Sequence, residues 1–198
     1  MPEHYFSADP SVPFERQRFT AELWGNELTL DTGSGVFSRG HLDHATAVLF
    51  RELEPPAQGQ FLDLGCGYGV IGLAIAAASP DTVVTGVDVN ERALLLAREN
   101  AAALGLQGRF TACLPDAVPD DAAYDEIWSN PPIRIGKPAL HALLRSWLPR
   151  LVPGGRAMMV VGKNLGGDSL HRWLVDLGYP TERVASAKGF RVLEVRRP

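Results

Sequence analysis

The chain has 198 residues, of which 45% are apolar and 21% are charged, and its formal net charge is -4. This composition is ordinary for one globular domain, and no run approaches the roughly 20 apolar residues of a membrane-spanning helix. The negative balance excludes a surface that is basic throughout, but the lysines, arginines and acids of residues 1–99 sum to -8 and those of residues 100–198 to +4, so the second half permits an anionic substrate.

The first 56 residues are predicted to form an extension ahead of the main fold. Residues 1–16 are polar and rich in proline and are expected to be an arm. Residues 18–23 and 27–30 alternate apolar and polar side chains around Gly25 and Asn26, which predicts a β-hairpin. A glycine-rich loop over residues 31–40 follows, and the helical spacing of apolar side chains predicts a helix over residues 41–53.

Predicted strands and helices alternate over residues 57–198. Strands are expected over residues 60–64, 82–87, 109–113, 124–129 and 156–162, and helices over residues 70–78, 91–104, 138–151 and 167–177. Residues 181–186 and 190–196 are predicted as an antiparallel pair. Repeated β–α units predict a parallel sheet with right-handed crossovers and helices on both faces. The predicted fold class is therefore α/β: a doubly wound, Rossmann-like, mostly parallel seven-stranded sheet with a C-terminal antiparallel strand and an N-terminal hairpin extension, all in a single domain over residues 1–198.

The two cysteines, Cys66 and Cys113, are too few for a disulfide scaffold and indicate a reducing compartment. The N-terminal residues do not have the basic stretch and apolar core of a signal peptide. We therefore expect a cytoplasmic protein. Cys66 lies in a glycine-rich turn without a second candidate ligand nearby, so a small buried thiol is expected there and no metal site is predicted.

The first strand of the β–α region runs into a glycine-rich turn and then into a helix. Gly65 and Gly67 can adopt positive φ angles, and the helix that follows presents unpaired N–H groups, so the turn suits a nucleotide-like cofactor at the carboxyl edge of the sheet. The turn also matches the G-x-G-x-x-G pattern of dinucleotide-binding proteins. Asp63 precedes these glycines, where it would repel a pyrophosphate but tolerate a cationic sulfonium cofactor. Asp88 ends the next strand and can accept hydrogen bonds from both ribose hydroxyls of either cofactor class.

A second polar motif ends the fourth predicted strand, at the same edge of the sheet. Asn130 is followed by Pro131 and Pro132, whose rings fix φ and remove two backbone donors. The proline also pushes Asn130 into an extended conformation. The result is a rigid pair of acceptors, the Asn130 side-chain oxygen and the Pro131 carbonyl, which suits a substrate that brings N–H donors, such as the exocyclic amine of a base.

With these motifs together, the chain resembles the class I S-adenosylmethionine-dependent methyltransferases. More narrowly, it resembles the small methyltransferase domain of the guanine-N2 methyltransferases of small-subunit ribosomal RNA, as a single-domain relative. The resemblance rests on the residues at positions 4–7, 34–38, 62–72, 88–90, 130–137 and 188–193. It implies S-adenosylmethionine as cofactor, an exocyclic amine as the methyl acceptor, and RNA, ribosomal by this likeness, as the partner.

The resemblance also implies roles for individual residues. The catalytic group is expected to be Asn130, Pro131 and Pro132, of which Asn130 and Pro131 grip the target amine. The cofactor-binding set is expected to be Asp63, Gly65, Cys66 and Gly67 near the methionine part, Asp88 at the ribose, Val89 and Asn90 beside the adenosine, and Asn130. The substrate-binding set is expected to be Phe37, Ile133, Arg134 and Lys137, the last two on phosphates.

The chain departs from the family pattern at two places. Many amino methyltransferases have an aromatic residue after Asn-Pro-Pro, where this chain has Ile133, so Phe37 or Phe6 is the candidate to stack on the base. The third strand of the family usually ends in a carboxylate near the adenine amine, where Asp116 is the candidate here. Arg39 and Arg191 are further candidates for contacts with phosphates.

The same amine-gripping chemistry serves several substrates. Asn-Pro-Pro also accompanies methylation of adenine N6, cytosine N4 and protein glutamine, and a non-catalytic assembly factor on RNA could retain the fold. The intact glycine turn and the intact Asn-Pro-Pro motif favour an enzyme, and the dinucleotide-dependent dehydrogenase is the least favoured alternative. These alternatives remain open at the level of the sequence.

Overall fold

The computed structural model describes residues 13–198, and the arm residues 1–12, including Phe6, lie outside that range. Its central feature is a seven-stranded sheet with the strand order β5-β4-β3-β6-β7-β9-β8. The strands are β3 (Gln58–Leu64), β4 (Asp81–Val87), β5 (Phe110–Cys113), β6 (Tyr124–Ser129), β7 (Leu151–Gly162), β8 (Thr181–Ala187) and β9 (Phe190–Arg196). The pairs from β5 to β7 are parallel, and β9 is antiparallel to both of its neighbours. The predicted α/β fold class, with its C-terminal antiparallel strand, is confirmed.

Helices cover both faces of this sheet. They are α1 (His44–Glu52), α2 (Val70–Ala78), α3 (Glu91–Ala103), α4 (Lys137–Trp147) and α5 (Gly167–Asp176). Successive residues of one strand enter opposite cores: Phe61 packs in the core that contains α1, α2 and α3, whereas Leu62 packs in the core that contains α4 and α5. This period of two explains why the parallel strands are apolar on both faces.

An antiparallel hairpin of β1 (Arg16–Leu23) and β2 (Asn26–Gly33) precedes α1, as predicted. Its turn lies one residue earlier than expected, because Trp24 and Gly25 adopt the two positive φ angles, 48° and 75°. Helix α1 begins at His44 rather than at residue 41, because the Asp43 side chain accepts a hydrogen bond from the Thr46 N–H at 3.0 Å and caps the helix.

Two further boundaries differ from the sequence-based expectation. Helix α4 ends at Trp147 rather than at residue 151, and a short 3-10 turn containing Pro149 follows it. Strand β7 begins at Leu151, five residues earlier than expected, because Leu151 pairs with Tyr124 across an irregularity in the register. Neither change moves the carboxyl end of β6 or β7, where the candidate site lies.

The functional edge of the sheet is the one at which β3, β4, β6 and β7 end. Strand β9 begins at this same edge, since Phe190 pairs with Gly162, the last residue of β7. The predicted motifs around Gly65, Asp88 and Asn130 therefore meet here. Within residues 13–198, the helices are all too short or too polar to cross a membrane.

Candidate active site

A cavity of about 310 Å³ opens at the carboxyl edge of the sheet. Its wall includes the glycine turn after β3, the end of β4, the Asn-Pro-Pro segment after β6 and the end of β7. Eleven of the predicted site residues line it: Phe37, Gly65, Gly67, Asp88, Val89, Asn90, Asn130, Pro131, Pro132, Ile133 and Arg134. A pocket of this size and position is suited to a small organic cofactor with part of a substrate.

The glycine turn forms an open cradle in the cavity wall. Gly65 and Gly67 have φ angles of 74° and 56°, and a Cβ atom at either position would meet no atom within 4 Å. The turn is held against β4, because the N–H groups of Gly65 and Cys66 both donate to the carbonyl of Val87 at 2.9 Å. Side chains at these two glycines would therefore project into empty space that a ligand can occupy.

Asp88 joins the glycine turn to the end of β4. One carboxylate oxygen accepts the N–H of Gly67 and the other accepts the N–H of Asn90, both at 2.9 Å. Burial raises the pKa of Asp88, and the backbone N–H groups that it accepts oppose this shift. Because each carboxylate oxygen has two lone pairs, both retain capacity to accept a hydroxyl from a ligand in the cavity.

Asp63 lies beneath the glycine turn and has no solvent exposure. Its Oδ2 accepts the N–H of Gly72 in the first turn of α2 at 2.8 Å, whereas its Oδ1 is a buried oxygen without a partner among the described residues. Burial raises the pKa of Asp63 to about 7, partly offset by the Gly72 hydrogen bond and supported by the nearby charge of Asp88. A positive charge in the cradle would stabilise the ionised form.

The amide of Asn130 has a defined orientation. Its Nδ2 donates to Oδ2 of Asp43 at 2.9 Å and to Oγ1 of Thr46 at 3.1 Å. An ionised carboxylate can only accept, so the nitrogen of the amide must be the atom that faces Asp43. Asn130 and Asp43 both line the cavity, and the Oδ1 atom of Asn130 is left as an acceptor without a donor among residues 13–198.

The two prolines after Asn130 form a tight turn. Pro132 has φ -74° and ψ 71°, and the Pro131 carbonyl accepts the N–H of Ile133 at 2.8 Å, which together define an inverse γ-turn. The Pro131 carbonyl retains one lone pair for a second donor. Arg134 is exposed at the cavity wall, and Lys137 is exposed at the start of α4 without lining the cavity.

Asn90 joins the glycine-rich loop over residues 31–40 to the start of α3. Its Oδ1 caps α3 by accepting the N–H groups of Arg92 and Ala93, and its Nδ2 donates to the carbonyl of Gly35 at 2.7 Å. The same loop carries Phe37, which is 38% exposed and lines the cavity. Val89, which follows Asp88 at the end of β4, is 45% exposed and offers an apolar surface to the cavity.

Some predicted residues lie outside the cavity wall. The Cys66 side chain is buried against Gly86, its thiol contacts the Gly67 carbonyl at 3.6 Å, and burial raises its pKa, so only its backbone belongs to the turn. Asp116 is exposed, and its neighbour Pro115 rather than Asp116 itself lines the cavity. Arg39 and Arg191 form ion pairs with Glu15 and Asp168.

The structure adds cavity residues that were not singled out in the sequence. Asp43 was expected only within a helix, although an aspartate immediately before a segment of helical apolar spacing is typical of an N-cap. Phe190 and Trp147 are aromatic residues of the cavity wall. Phe190 follows the Lys188-Gly189 turn that predicts the last hairpin, and this placement at the carboxyl edge is the signal that could have identified it.

Comparison with known proteins identifies the family. The model of the methyltransferase small domain matches residues 27–194. The chain belongs to this family. It is 34% identical over 200 residues to the uncharacterised protein YbxB of Bacillus subtilis, and the match covers 100% of both chains. The predicted resemblance is thereby confirmed at the level of the family.

Two further relatives, whose activities are named, are longer proteins. Ribosomal RNA small subunit methyltransferase C of Pseudomonas aeruginosa is 34% identical over 195 residues, which cover 96% of this chain and 57% of that protein. The solved T. thermophilus 16S rRNA N2 G1207 methyltransferase, in complex with AdoMet and guanosine, has a TM-score of 0.78 and 26% identity over 96% of this chain and 52% of that one. The chain thus spans about half the length of these rRNA methyltransferases.

Family and fold make the chain an S-adenosylmethionine-dependent methyltransferase, as its sequence predicts. The cavity residues fit this cofactor. The open cradle at Gly65 and Gly67 leaves room for the ligand, and a cationic cofactor there would favour the ionised form of Asp63, whose buried Oδ1 has no partner among the described residues. The last glycine of the G-x-G-x-x-G pattern, Gly72, is explained by packing, since a Cβ atom there would lie 2.6 Å from the Phe110 ring.

Proposed function

We propose that this methyltransferase modifies the exocyclic N2 amine of a guanine in ribosomal RNA. The observation that carries the proposal is the fixed amide of Asn130, whose nitrogen is bonded to Asp43 and Thr46 and whose oxygen is therefore an acceptor at the cavity wall. The choice of substrate is supported by the two longer relatives, which are methyltransferases of small-subunit ribosomal RNA.

The proposed cofactor site occupies the β3–β4 side of the cavity. Gly65 and Gly67 bring the backbone close to the ligand, Asp88 accepts the ribose hydroxyls, and Asp63 favours the positive charge from beneath the turn. Val89 and Asn90 border the adenosine side. S-Adenosylmethionine supplies an electrophilic methyl group when it is bound here.

The proposed amine site occupies the β6 side of the cavity. Oδ1 of Asn130 and the remaining lone pair of the Pro131 carbonyl accept the two N–H bonds of the amine, which favours a pyramidal nitrogen and directs its lone pair toward the cofactor side. Pro132 fixes the turn that holds these acceptors. The amine becomes acidic only after it gains the methyl group, so these residues need not include a strong general base.

The base must leave its stack to reach the cavity, which costs a few kcal/mol. Ile133 and Phe37 offer apolar contacts to the extruded base, and Arg134 and Lys137 are exposed where they can contact the flanking phosphates. Adenine N6, cytosine N4 and protein glutamine bring the same pair of N–H donors, so the experiment must identify the methylated group chemically.

The test uses the full chain with labelled S-adenosylmethionine and ribosomal RNA from a strain in which the gene is deleted. We expect label in the RNA and, after digestion to nucleosides, N2-methylguanosine. Labelled adenosine, cytidine or protein in place of this nucleoside would replace the proposed substrate with one of the alternatives.

Asn130→Ala provides the test of the amine site. It removes the side-chain acceptor but leaves the cradle, so the cofactor dissociation constant measured by calorimetry should stay within about twofold while the turnover number falls by at least ~100-fold. Turnover close to that of the wild type would mean that Asn130 does not grip the amine.

A further inference from the structure

The sequence uses its two basic residue types very differently. Of its 19 basic residues, 16 are arginines and three are lysines, namely Lys137, Lys163 and Lys188. Among the described residues, the arginines form ion pairs, donate to backbone carbonyls or lie over aromatic rings, with the exceptions of Arg134, Arg172 and Arg183. Arginine thus serves mainly to hold the fold together.

The three lysines have no such role. Each is exposed, and none forms an ion pair within residues 13–198. All three lie at the carboxyl edge of the sheet, where the cavity opens. Lys137 begins α4 after the Asn-Pro-Pro segment, Lys163 directly follows β7, and Lys188 lies in the β8–β9 turn.

Lys163 and Lys188 lie side by side. The N–H of Lys163 donates to the carbonyl of Gly189 at 2.8 Å, which joins the end of β7 to the β8–β9 turn. Two cavity-lining apolar residues flank this junction: Leu165, which is 53% exposed, and Phe190, which begins β9. Both lysines are therefore close along the backbone to Phe190, an aromatic residue of the cavity wall.

The charge of the cavity wall is divided between its two sides. Asp88 lines the cofactor side with Asp63 buried behind it, and Asp43 lines the cavity beside Asn130. Residues 127–167, which form most of the β6–β7 side, contain no aspartate or glutamate. The nearest following acid, Asp168, is paired with Arg191. An anionic ligand is thus favoured at the part of the cavity edge beyond Asn130, where these residues contribute basic side chains and no acids.

We infer that Lys163 and Lys188, together with Lys137, form a phosphate-binding rim for a single-stranded RNA segment that carries the target base, with Phe190 against that base. The strand ends from β6 to β8 extend over about 14 Å at the usual spacing of neighbouring strands. Ammonium groups along such an edge can follow the phosphates of an extended strand, and an aromatic ring beside them can stack on a base. This inference rests on the proposed function.

The test compares two double variants that remove the same charge. Lys163→Ala with Lys188→Ala removes two of the three rim lysines. Arg172→Ala with Arg183→Ala removes two exposed arginines that form no ion pair within residues 13–198, one on α5 and one near the start of β8. Binding of a labelled, guanosine-containing single-stranded RNA is measured by fluorescence anisotropy over a series of salt concentrations. Cofactor affinity is measured in parallel by calorimetry.

The rim variant should bind the RNA about tenfold more weakly at low salt, and the slope of log affinity against log salt should fall by about 1.4, since each phosphate contact on a single strand contributes about 0.7. Arginine at both positions should restore the slope. The control pair should keep it, and cofactor affinity should be unchanged in all variants. An unchanged slope in the rim variant, or an equal loss in the control pair, would overturn the inference alone.

The methylated product and the effect of Phe190→Ala distinguish failure of the rim from failure of the proposed function. If the wild-type chain methylates a polypeptide and binds RNA without dependence on salt, the proposed function is wrong, and the inference of a phosphate-binding rim is wrong too. If the wild type methylates RNA and Phe190→Ala raises the KM for RNA while cofactor affinity is unchanged, both are supported.

Discussion

At the scale of single residues, the reactivity of the pocket depends on which atom of the Asn130 amide faces it. The carboxylate of Asp43 decides this, because it can accept only from the nitrogen. Asp43 also caps α1 through Thr46, so the helix and the amide are positioned by the same side chain. Asp43 thereby orients the acceptor that the proposed reaction requires.

Replacing Asp43 should separate these two roles. Asp43→Ser keeps a good N-cap but is too short to hold the Asn130 amide, so we expect the turnover number to fall by about tenfold or more while the unfolding free energy changes by less than ~1 kcal/mol. Asp43→Asn retains an oxygen for both contacts and should restore turnover. Kinetics with saturating cofactor and urea titration check the two effects, and equal turnover in the two variants would contradict the positioning role.

Asp63 gives the folded protein a distinct dependence on pH. Its pKa is raised from 3.8 to about 7 by burial, so the folded state binds the proton more tightly than the unfolded chain does. The stability that this proton contributes is complete below pH ~4 and is lost as the pH rises toward about 7.

The variant Asp63→Asn should remove this dependence. Asparagine keeps an oxygen for the Gly72 N–H but carries no charge. The unfolding free energy of the variant minus that of the wild type, measured in urea without cofactor, should increase from pH 4.5 to pH 7 and stay level above it. A difference that is constant across this range would show that Asp63 keeps an ordinary pKa.

The sequence could predict Asp88 and Asn130 because each ends a parallel strand, and such ends meet at one edge. It could not predict the partner of Asn130, since Asp43 lies 87 positions away along the chain and its local pattern is that of an ordinary N-cap. Phe190 differs, because its place directly after the predicted β8–β9 turn was a local signal, whereas its pairing with Gly162 was not. Long-range side-chain contacts are not encoded in local periodicity.

At the scale of elements, the order and type of the strands and helices followed from periodicity and from glycine and proline positions. The errors were at boundaries, where one side chain or one long-range pairing decides. Capping by Asp43 delayed the start of α1, and the pairing of Leu151 with Tyr124 extended β7 toward its N-terminus. Helix α2 was predicted with its observed bounds, and it is the element on which the glycine turn depends.

Gly72 sets how closely α2 approaches the sheet. A Cβ atom there would lie 2.6 Å from the Phe110 ring and 2.9 Å from Val84, so Gly72→Ala should destabilise the protein by about 1–3 kcal/mol through overpacking. The displaced helix should also weaken cofactor binding, because the turn at Gly65 and Gly67 leads into it. Urea titration and calorimetry measure the two effects.

The cause can be isolated with a double-mutant cycle. Phe110→Leu removes the ring atoms nearest to the new methyl group, so Gly72→Ala should cost less in that background than in the wild type. Additive effects of the two changes would mean that the crowding is not at Phe110.

At the scale of the whole molecule, the N-terminal hairpin shares a core with the methyltransferase fold. Leu28 and Leu30 of β2 are buried in the same cluster as Leu73 of α2 and Leu94 of α3. Asn100 reinforces the contact, because its side chain accepts the N–H of Asp31 at 2.8 Å and donates to the carbonyl of the same residue at 3.0 Å. These contacts support the prediction that the extension and the α/β core behave as one domain.

One cooperative unit should open as a whole. In native-state hydrogen exchange, amides of β2 and β4 should therefore exchange with the same free energy, that of global unfolding. Asn100→Ala removes both bonds to Asp31 and a third to the carbonyl of Tyr68, so β2 should then exchange through a smaller opening than β4 does. As a control, Arg183→Ala on the exposed edge strand should leave the two strands equal. If β2 already exchanges more easily than β4 in the wild type, the hairpin is a separate unit, and the hydrogen bonds of Asn100 do not couple it to the fold that binds the cofactor.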